Sequence, residues 1–391
     1  MIKKIITYGG VEAVAKGLNR SLILILPLLL PVSEFGKVGL LVAAELILPM
    51  FSTLGFDRAI LRFYHERFKY KNFTETIISS VIVLQLILTF FIFIFYILGV
   101  KTLFGIPLFP DLFILHINIS LINIMQLILN IHRTTEKQKD YIKLKVVFQF
   151  LKFISVLGLA FVYNNYLCYI WGVFIALAIT IFLNRRQFKS VLVFKFQKTT
   201  FKFLFLFCWP FIFHTIANNL IGNIDRFIFE KFLTIQDVGV YTFAFSVASS
   251  LSFAFQGANV YLEPQIYSAK NKIARNQKVR YYLFFTIICG CIGFVALNII
   301  AKFTIPTYFK AYSDSLSLIP IISIGHLFLP FYYSSNYSLV ADKKTFSVAK
   351  ISVLSAVLNV FILFVFLNFF GIESGAFAFF ISMLFLGIAL T

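Results

Sequence analysis

Charge is what this sequence has least of. Only 13% of its 391 residues are Asp, Glu, Lys or Arg, where a soluble domain carries roughly a quarter, so a water-exposed fold is excluded. Acidic residues are the scarcer sign, 16 against 35 basic ones. Cysteine is confined to Cys168, Cys208, Cys289 and Cys291, all inside apolar runs. No two of them have the two-residue gap of zinc or thioredoxin-like motifs, which leaves them as packing residues. Hydrolase, nucleotide and metal motifs are missing too, and no cofactor is implied.

What fills the chain instead is hydrocarbon, 60% apolar and 18% aromatic. Uncharged runs cover 76–100, 112–131, 203–224, 238–262, 281–301, 315–341 and 351–372, each long enough for the roughly 20 residues of a membrane helix. The run 153–184 is too long for one helix, and Tyr163, Asn164, Asn165 and Tyr166 at its middle predict a polar turn between two spans. A charged first span, a second over 36–61 and a last over 374–391 complete the pattern. The first could pass for a secretory signal, but Glu12, Lys16 and Arg20 interrupt it and no small-residue cleavage pattern is present, so it is expected to be retained. The chain stops at Thr391, barely past the last predicted span. The expected class is an all-α polytopic membrane protein of about twelve helices.

The basic surplus sorts by connector, which argues for topology and against nucleic acid as a partner. Lys3, Lys4 and the connectors at 58–71, 133–145, 185–202, 270–280 and 343–350 hold most of it. The alternate connectors hold only Lys37, Lys101, Arg226, Lys231, Lys302 and Lys310. By the positive-inside rule both termini are cytoplasmic. Six spans precede the basic connector and six come after it, dividing the chain into expected bundles at 1–190 and 198–391. Phe35 and Gly36 then match Val238 and Gly239 at an offset of 203, and an even number of spans per half makes the halves parallel repeats.

Polar residues within the spans are the functional clue, because a charge at mid-bilayer costs about 3 kcal/mol even on a lenient scale. Glu12, Lys16, Asn19 and Arg20 fall within an arc of roughly 100° on the first helix. Glu12 with Lys16, and Arg20 with Glu45 at a similar depth, are possible neutralising pairs. Lys152 has no acidic partner in its own helix and is read as facing a wet interior. The seventh span carries His214, Asn218, Asn219 and Asn223 before Asp225 and Arg226, an adjacent pair expected near the outer interface. Under the 203 offset, Lys16 and Arg20 correspond to Asn219 and Asn223. His214 and His326 are either packing histidines or proton carriers. Asn118, Asn123, Gln126 and Asn130 read as interhelical glue.

Three stretches carry a family resemblance: Phe35-Gly36-Lys37-Val38-Gly39-Leu40, the run from Leu54-Gly55-Phe56-Asp57-Arg58 through Arg62-Phe63-Tyr64, and Asp225-Arg226 leading into Val238-Gly239-Val240-Tyr241. With the layout, they resemble the polysaccharide or O-antigen flippase branch of the multidrug, oligosaccharidyl-lipid and polysaccharide flippase superfamily. The resemblance implies a MATE-like pair of six-helix bundles around a central cavity in the bacterial inner membrane. It implies a polyprenyl-pyrophosphate-linked oligosaccharide as cargo, flipped to the periplasmic leaflet by alternating access, and no enzymatic step. Lys16, Arg20, Lys152, Asn219 and Asn223 become its cargo-binding candidates. Glu12, Glu45, Asp225 and His214 become candidates for coupling to H+ or Na+. A polysaccharide polymerase and a chain-length protein are implied as neighbours. The alternatives are an organic-cation antiporter of the same superfamily, whose interior should not be basic, and a membrane enzyme of polysaccharide assembly, which would need larger outer loops.

Overall fold

The structure, a computed structural model, describes residues 2–103, 105–267, 271–342 and 345–390; within these, the side chains of residues 2–9, 210, 211, 214, 254, 256, 257, 260, 261, 263, 264, 267, 340, 341, 345 and 390 lie outside the description. Among the described residues the regular structure is helical apart from one two-residue ladder. The chain divides into two compact units, Met1–Ile212 and Phe213–Thr391.

The first unit begins with α1 (Ile2–Leu29), α2 (Val32–Ile47), α3 (Pro49–Thr53), α4 (Phe56–Phe63) and α5 (Phe73–Ile97). The antiparallel pair β1 (Thr102–Leu103) and β2 (Ile106–Pro107) is next. Then come α6 (Phe113–Thr134), α7 (Gln138–Tyr163), α8 (Leu167–Leu183), the short α9 (Arg185–Val191), and α10 (Lys198–Leu220), in which the boundary falls. The second unit continues with α11 (Ile224–Phe232), α12 (Ile235–Ala248), α13 (Ser252–Tyr267), α14 (Lys272–Tyr308), α15 (Ser315–Leu327), α16 (Leu329–Ala341), α17 (Thr345–Phe370) and α18 (Glu373–Leu390).

Among the described residues, seven helical stretches are long and apolar enough to cross a membrane, and α8 with α9 makes an eighth if that pair, bent by 83°, counts as one. The sequence predicts about twelve. Helix α1 misses the criterion because Glu12, Lys16 and Arg20 interrupt it, and α18 because it is short. In α10 and α13 some side chains lie outside the description.

Several breaks depart from the expected spans for identifiable reasons. The second span ends at Thr53, not near residue 61. Leu54 and Gly55 both take positive φ, 46° and 73°, a region that ends a helix and that glycine enters without steric cost. The run 238–262 is split by a 3-10 turn at Ser249–Leu251, and 315–341 by the junction at Phe328 and Leu329. The polar turn at 163–166 forms as the sequence predicts, with Asn164 in the left-handed region at the end of α7.

The boundary inside α10, in place of the basic connector, has a packing cause. Leu204 and Cys208 join Phe56, Ile60, Phe73 and Ile77 in one buried cluster, with Phe201, Phe203 and Phe207 packed around it. The first half of α10 is thereby held by the first unit. On α6, Asn118 donates to the Ile170 carbonyl at 2.9 Å, Asn123 to Ser52 at 2.7 Å and Asn130 to the Asp57 carbonyl at 3.2 Å. These asparagines tie α6 to three other elements, as the glue reading expects; Gln126 bonds within α6, to Asn130.

Helices α7 and α8 approach closely where α8 presents Gly172. A Cβ there would lie 2.6 Å from Val156 Cγ2 and 2.7 Å from Val156 Cα, so the contact requires a residue with no side chain. We predict that Gly172→Ala lowers the thermal unfolding midpoint of the purified protein, an overpacking cost of about 1–3 kcal/mol. Gly158→Ala, where an added Cβ meets nothing within 4 Å, should leave that midpoint unchanged or raise it.

Candidate functional site

Helix α1 packs along α7, and the polar residues of the two meet in a ladder. Tyr141, Lys145, Gln149 and Lys152 recur within an arc of roughly 80° on α7. At the first rung, Glu12 of α1 accepts a short hydrogen bond from the Tyr141 hydroxyl, and Lys145 Nζ lies 3.4 Å from the same carboxylate oxygen. Lys16, one turn on, adds its charge to the same carboxylate. At the second rung, Lys152 is 6% exposed. It donates to the Tyr169 hydroxyl at 3.1 Å and lies 3.8 Å from Glu45 Oε2. Tyr169 donates in turn to that oxygen at 2.7 Å. The rungs are the same device used twice, a carboxylate answered by one tyrosine and one lysine.

The ladder corrects the predicted pairing. Lys152, read as lacking an evident acidic partner within its own span, meets Glu45 from α2 and Tyr169 from α8. The cation found beside Glu45 is therefore Lys152, where the sequence suggests Arg20. Glu12 keeps its expected neighbour Lys16 and gains Lys145. Lys16 is exposed and Arg20 half-buried in this unit. Lys16 and Arg20 on α1 and Lys145 and Lys152 on α7 are thus basic side chains of two helices packed together. Glu45 Oε1 and Gln149 Oε1 are buried with no hydrogen-bond partner among the described residues.

The second unit handles its charges differently. Asp225 and Arg226 are 2% and 4% exposed, so this pair, expected near the outer interface, is enclosed by protein. Helix α10 ends at Leu220, Gly222 takes a φ of 85°, and the turn carries both charges into α11. Arg226 Nη1 donates to the Gly222 carbonyl at 2.7 Å and to Asn223 Oδ1 at 3.0 Å, and its Nε donates to Thr242 at 3.2 Å. Asp225 accepts from the Tyr241 hydroxyl and from the Arg226 backbone amide. The node is satisfied internally and fastens α11 to α12.

Asn223 lies in the turn beyond α10 and not within a span, which removes its match to Arg20, a residue inside α1. It donates to the Asn219 carbonyl at 2.9 Å. Asn219 stays inside α10, half-buried. The His214 side chain lies outside the described residues. The second unit also has a cavity of about 680 Å³ between α10 and α17, lined by Phe213, Ile216, Leu220, Val357, Phe361 and Phe364 among others. Its wall offers nothing to a charged group.

Sequence reasoning misses the roles of Tyr141, Lys145 and Tyr169. Lys145 falls within the basic connector by its charge, although its spacing of seven from Lys152 places both on one face of α7. No signal in the sequence marks Tyr169 apart from other tyrosines.

The profile of one family, described as polysaccharide biosynthesis protein, matches residues 1–260. The chain belongs to that family. No curated protein matches it. Among solved structures, this polysaccharide biosynthesis protein is similar to a multidrug resistance MATE family transporter of the MOP superfamily, inward-facing, at a TM-score of 0.67 and 12% identity, with 95% of this chain and 92% of that one covered. It is similar to the lipid II flippase MurJ in an inward closed conformation at a TM-score of 0.66 and 16% identity, covering 97% and 86%. A point mutant of the Vibrio cholerae MATE transporter VcmN matches at a TM-score of 0.62 and 16% identity, covering 99% and 94%. These likenesses establish a MATE-like, all-α, multi-pass membrane fold.

The second rung makes a double-mutant prediction. Lys152→Met alone leaves the Glu45 carboxylate buried without its cation and should destabilise the protein by about 3–5 kcal/mol. Glu45→Gln combined with Lys152→Met should recover most of that loss in the same denaturation measurement. Additive losses would mean that the pair is not coupled.

Proposed function

We propose that this protein is a flippase that carries a polyprenyl-pyrophosphate-linked oligosaccharide from the cytoplasmic to the periplasmic leaflet of a bacterial inner membrane by alternating access. The observation that carries the reading is the run of basic side chains along the two packed helices, Lys16 and Arg20 on α1 and Lys145 and Lys152 on α7. A pyrophosphate leaving water loses its hydration and requires positive charge in a low-dielectric setting. Lys16 and Arg20 are the more accessible of these cations. Arg20 has the planar fork that suits phosphate oxygens.

Family membership and the likeness to a lipid II flippase support the same reading. The likeness to MATE multidrug transporters leaves an organic-cation exporter as the rival, and a basic face is the wrong electrostatics for a cationic cargo. In our reading α1, α10, α12 with α13, and α18 join the eight candidate spans to make twelve, six in each half. Asn219 is the candidate for neutral sugar contacts in the second unit. For ion coupling we favour Glu45, whose Oε1 has no hydrogen-bond partner among the described residues, with Glu12 second. Asp225 and Asn223 are engaged by Arg226, and we assign them a role in holding α11. No enzymatic step is required.

The test uses cells whose surface polysaccharide depends on this protein. Arg20→Ala and Lys16→Ala should each reduce surface polymer with membrane protein levels unchanged. A lost hydrogen bond to a charged group costs about 1.5–3 kcal/mol, which is roughly tenfold or more in transport. Arg20→Lys should retain part of the activity. Full polymer in the Arg20→Ala, Lys16→Ala double variant would remove the cationic face from the mechanism. Organic-cation resistance conferred by the unaltered chain would favour the exporter.

A further inference from the structure

The inner end of α8 turns sharply, and the segment beyond the turn fits neither water nor hydrocarbon alone. We propose that residues 185–198 form a strap lying in the headgroup plane of the inner leaflet, where it binds anionic phospholipid.

Orientation comes first. Helix α9 leaves α8 at 83°, so with α8 crossing the bilayer α9 runs along its surface, on the side that the basic connectors mark as cytoplasmic. The turn is fixed by contacts on both sides. Asn184 Nδ2 donates to the Thr180 carbonyl at 2.9 Å, closing α8. Phe188 is buried, and Gln187 meets His132 of α6 at 3.1 Å and Asp140 of α7 at 3.5 Å. Arg185, Arg186 and Lys189 are left on the exposed side of α9.

After α9 the chain has no regular secondary structure through 192–197 and is clipped to the inner end of α5. The Lys195 amide donates to Ser79 Oγ at 3.0 Å, Ser79 donates back to the Lys195 carbonyl at 3.2 Å, and the Gln197 amide donates to Thr76 Oγ1 at 3.2 Å. With one edge of its backbone held, the strap points Phe194 and Phe196 outward, 64% and 52% exposed, beside the exposed Leu192. Lys195 and Lys198 are exposed as well.

Composition then selects the partner. Residues 185–198 contain Arg185, Arg186, Lys189, Lys195 and Lys198 and no acidic residue. Aromatic side chains interleaved with basic ones at the end of a membrane helix match the boundary between acyl chains and headgroups, where rings enter the apolar side and cations meet phosphate. The anionic cytoplasmic leaflet supplies the complementary charge. The inference rests on the membrane topology and is independent of the cargo.

The test uses the full chain reconstituted in phosphatidylethanolamine vesicles with a minor fraction of phosphatidylglycerol. After mild re-extraction, the lipid retained by the protein should be enriched in phosphatidylglycerol over the bulk. Arg185→Gln with Arg186→Gln should lower that enrichment by about fivefold for each charge removed, and Lys189→Gln with Lys195→Gln should do the same if the first pair folds poorly. Lys272→Gln with Arg280→Gln, a charge-matched pair at the start of α14, should keep it. An absence of enrichment in the unaltered chain, or equal loss in the α14 control, overturns the proposal. Placement is read separately from Phe196→Trp in a Trp171→Phe, Trp209→Phe background. Brominated acyl chains should quench the new indole, and an unquenched one overturns the in-plane strap.

Discussion

A charge carried into hydrocarbon has to be answered by the protein itself, and that constraint organises the first unit. Removing an ion from water costs several kcal/mol even after relaxation, and α1 and α7 place several such groups along one packed face. The answer is the same at both rungs. A tyrosine hydroxyl donates to a glutamate whose second neighbour is a lysine, at Glu12 with Tyr141 and Lys145, and at Glu45 with Tyr169 and Lys152. At Glu45 the tyrosine also accepts from the lysine, so the hydroxyl bridges two ions 3.8 Å apart. An apolar pair of similar volume would often hold such helices together at least as well. The charges are thus poorly explained by stability alone.

The second unit meets the same constraint by closure. Arg226 spends its donors on Gly222, Asn223 and Thr242, all within the unit, and Asp225 is filled by Tyr241 and a backbone amide. With three of its five donors committed inside the unit, the guanidinium holds the turn in place. The first unit thus answers its carboxylates across several helices and the second closes its ion pair around one turn, while the cavity between α10 and α17 is walled by apolar side chains.

Much of this was legible in the sequence, for reasons that differ by element. The class comes from solvent: 60% apolar residues leave no other medium in which the chain can fold. The turn at Asn164 was legible because a polar tetrapeptide inside an apolar run has no stable place in a span. The α6 asparagines were legible because an unpaired amide in hydrocarbon is costly, so each must cross to a neighbour. Pairing was not legible, because Lys152 is answered from α2 and α8, and a single helix says nothing about what packs against it. Breaks such as Leu54 with Gly55 escape a hydropathy reading because hydropathy counts side chains, whereas that kink is set by backbone φ. The burial of Asp225 and Arg226 escapes it for a related reason. Adjacent charges at the end of an apolar run give no sign that Tyr241 and Thr242 of α12 close over them.

The fold cannot choose the cargo, since solved structures described as multidrug transporters and as a lipid II flippase share it with this chain at 12–16% identity. At that distance the common feature is a pattern of apolar lengths and breaks, which many sequences satisfy. What distinguishes one member from another has to lie in the few side chains that membrane insertion penalises, because only a compensating use keeps them there. In this chain those include Glu12, Lys16, Arg20, Glu45 and Lys152. The inner connectors carry basic residues for orientation, which explains their number but not their arrangement. Orientation alone would be satisfied by lysines anywhere in 185–198, yet here Lys195 stands between the exposed Phe194 and Phe196 with Lys198 close behind, on a backbone clipped to α5, an order that suits a partner with both charge and hydrocarbon.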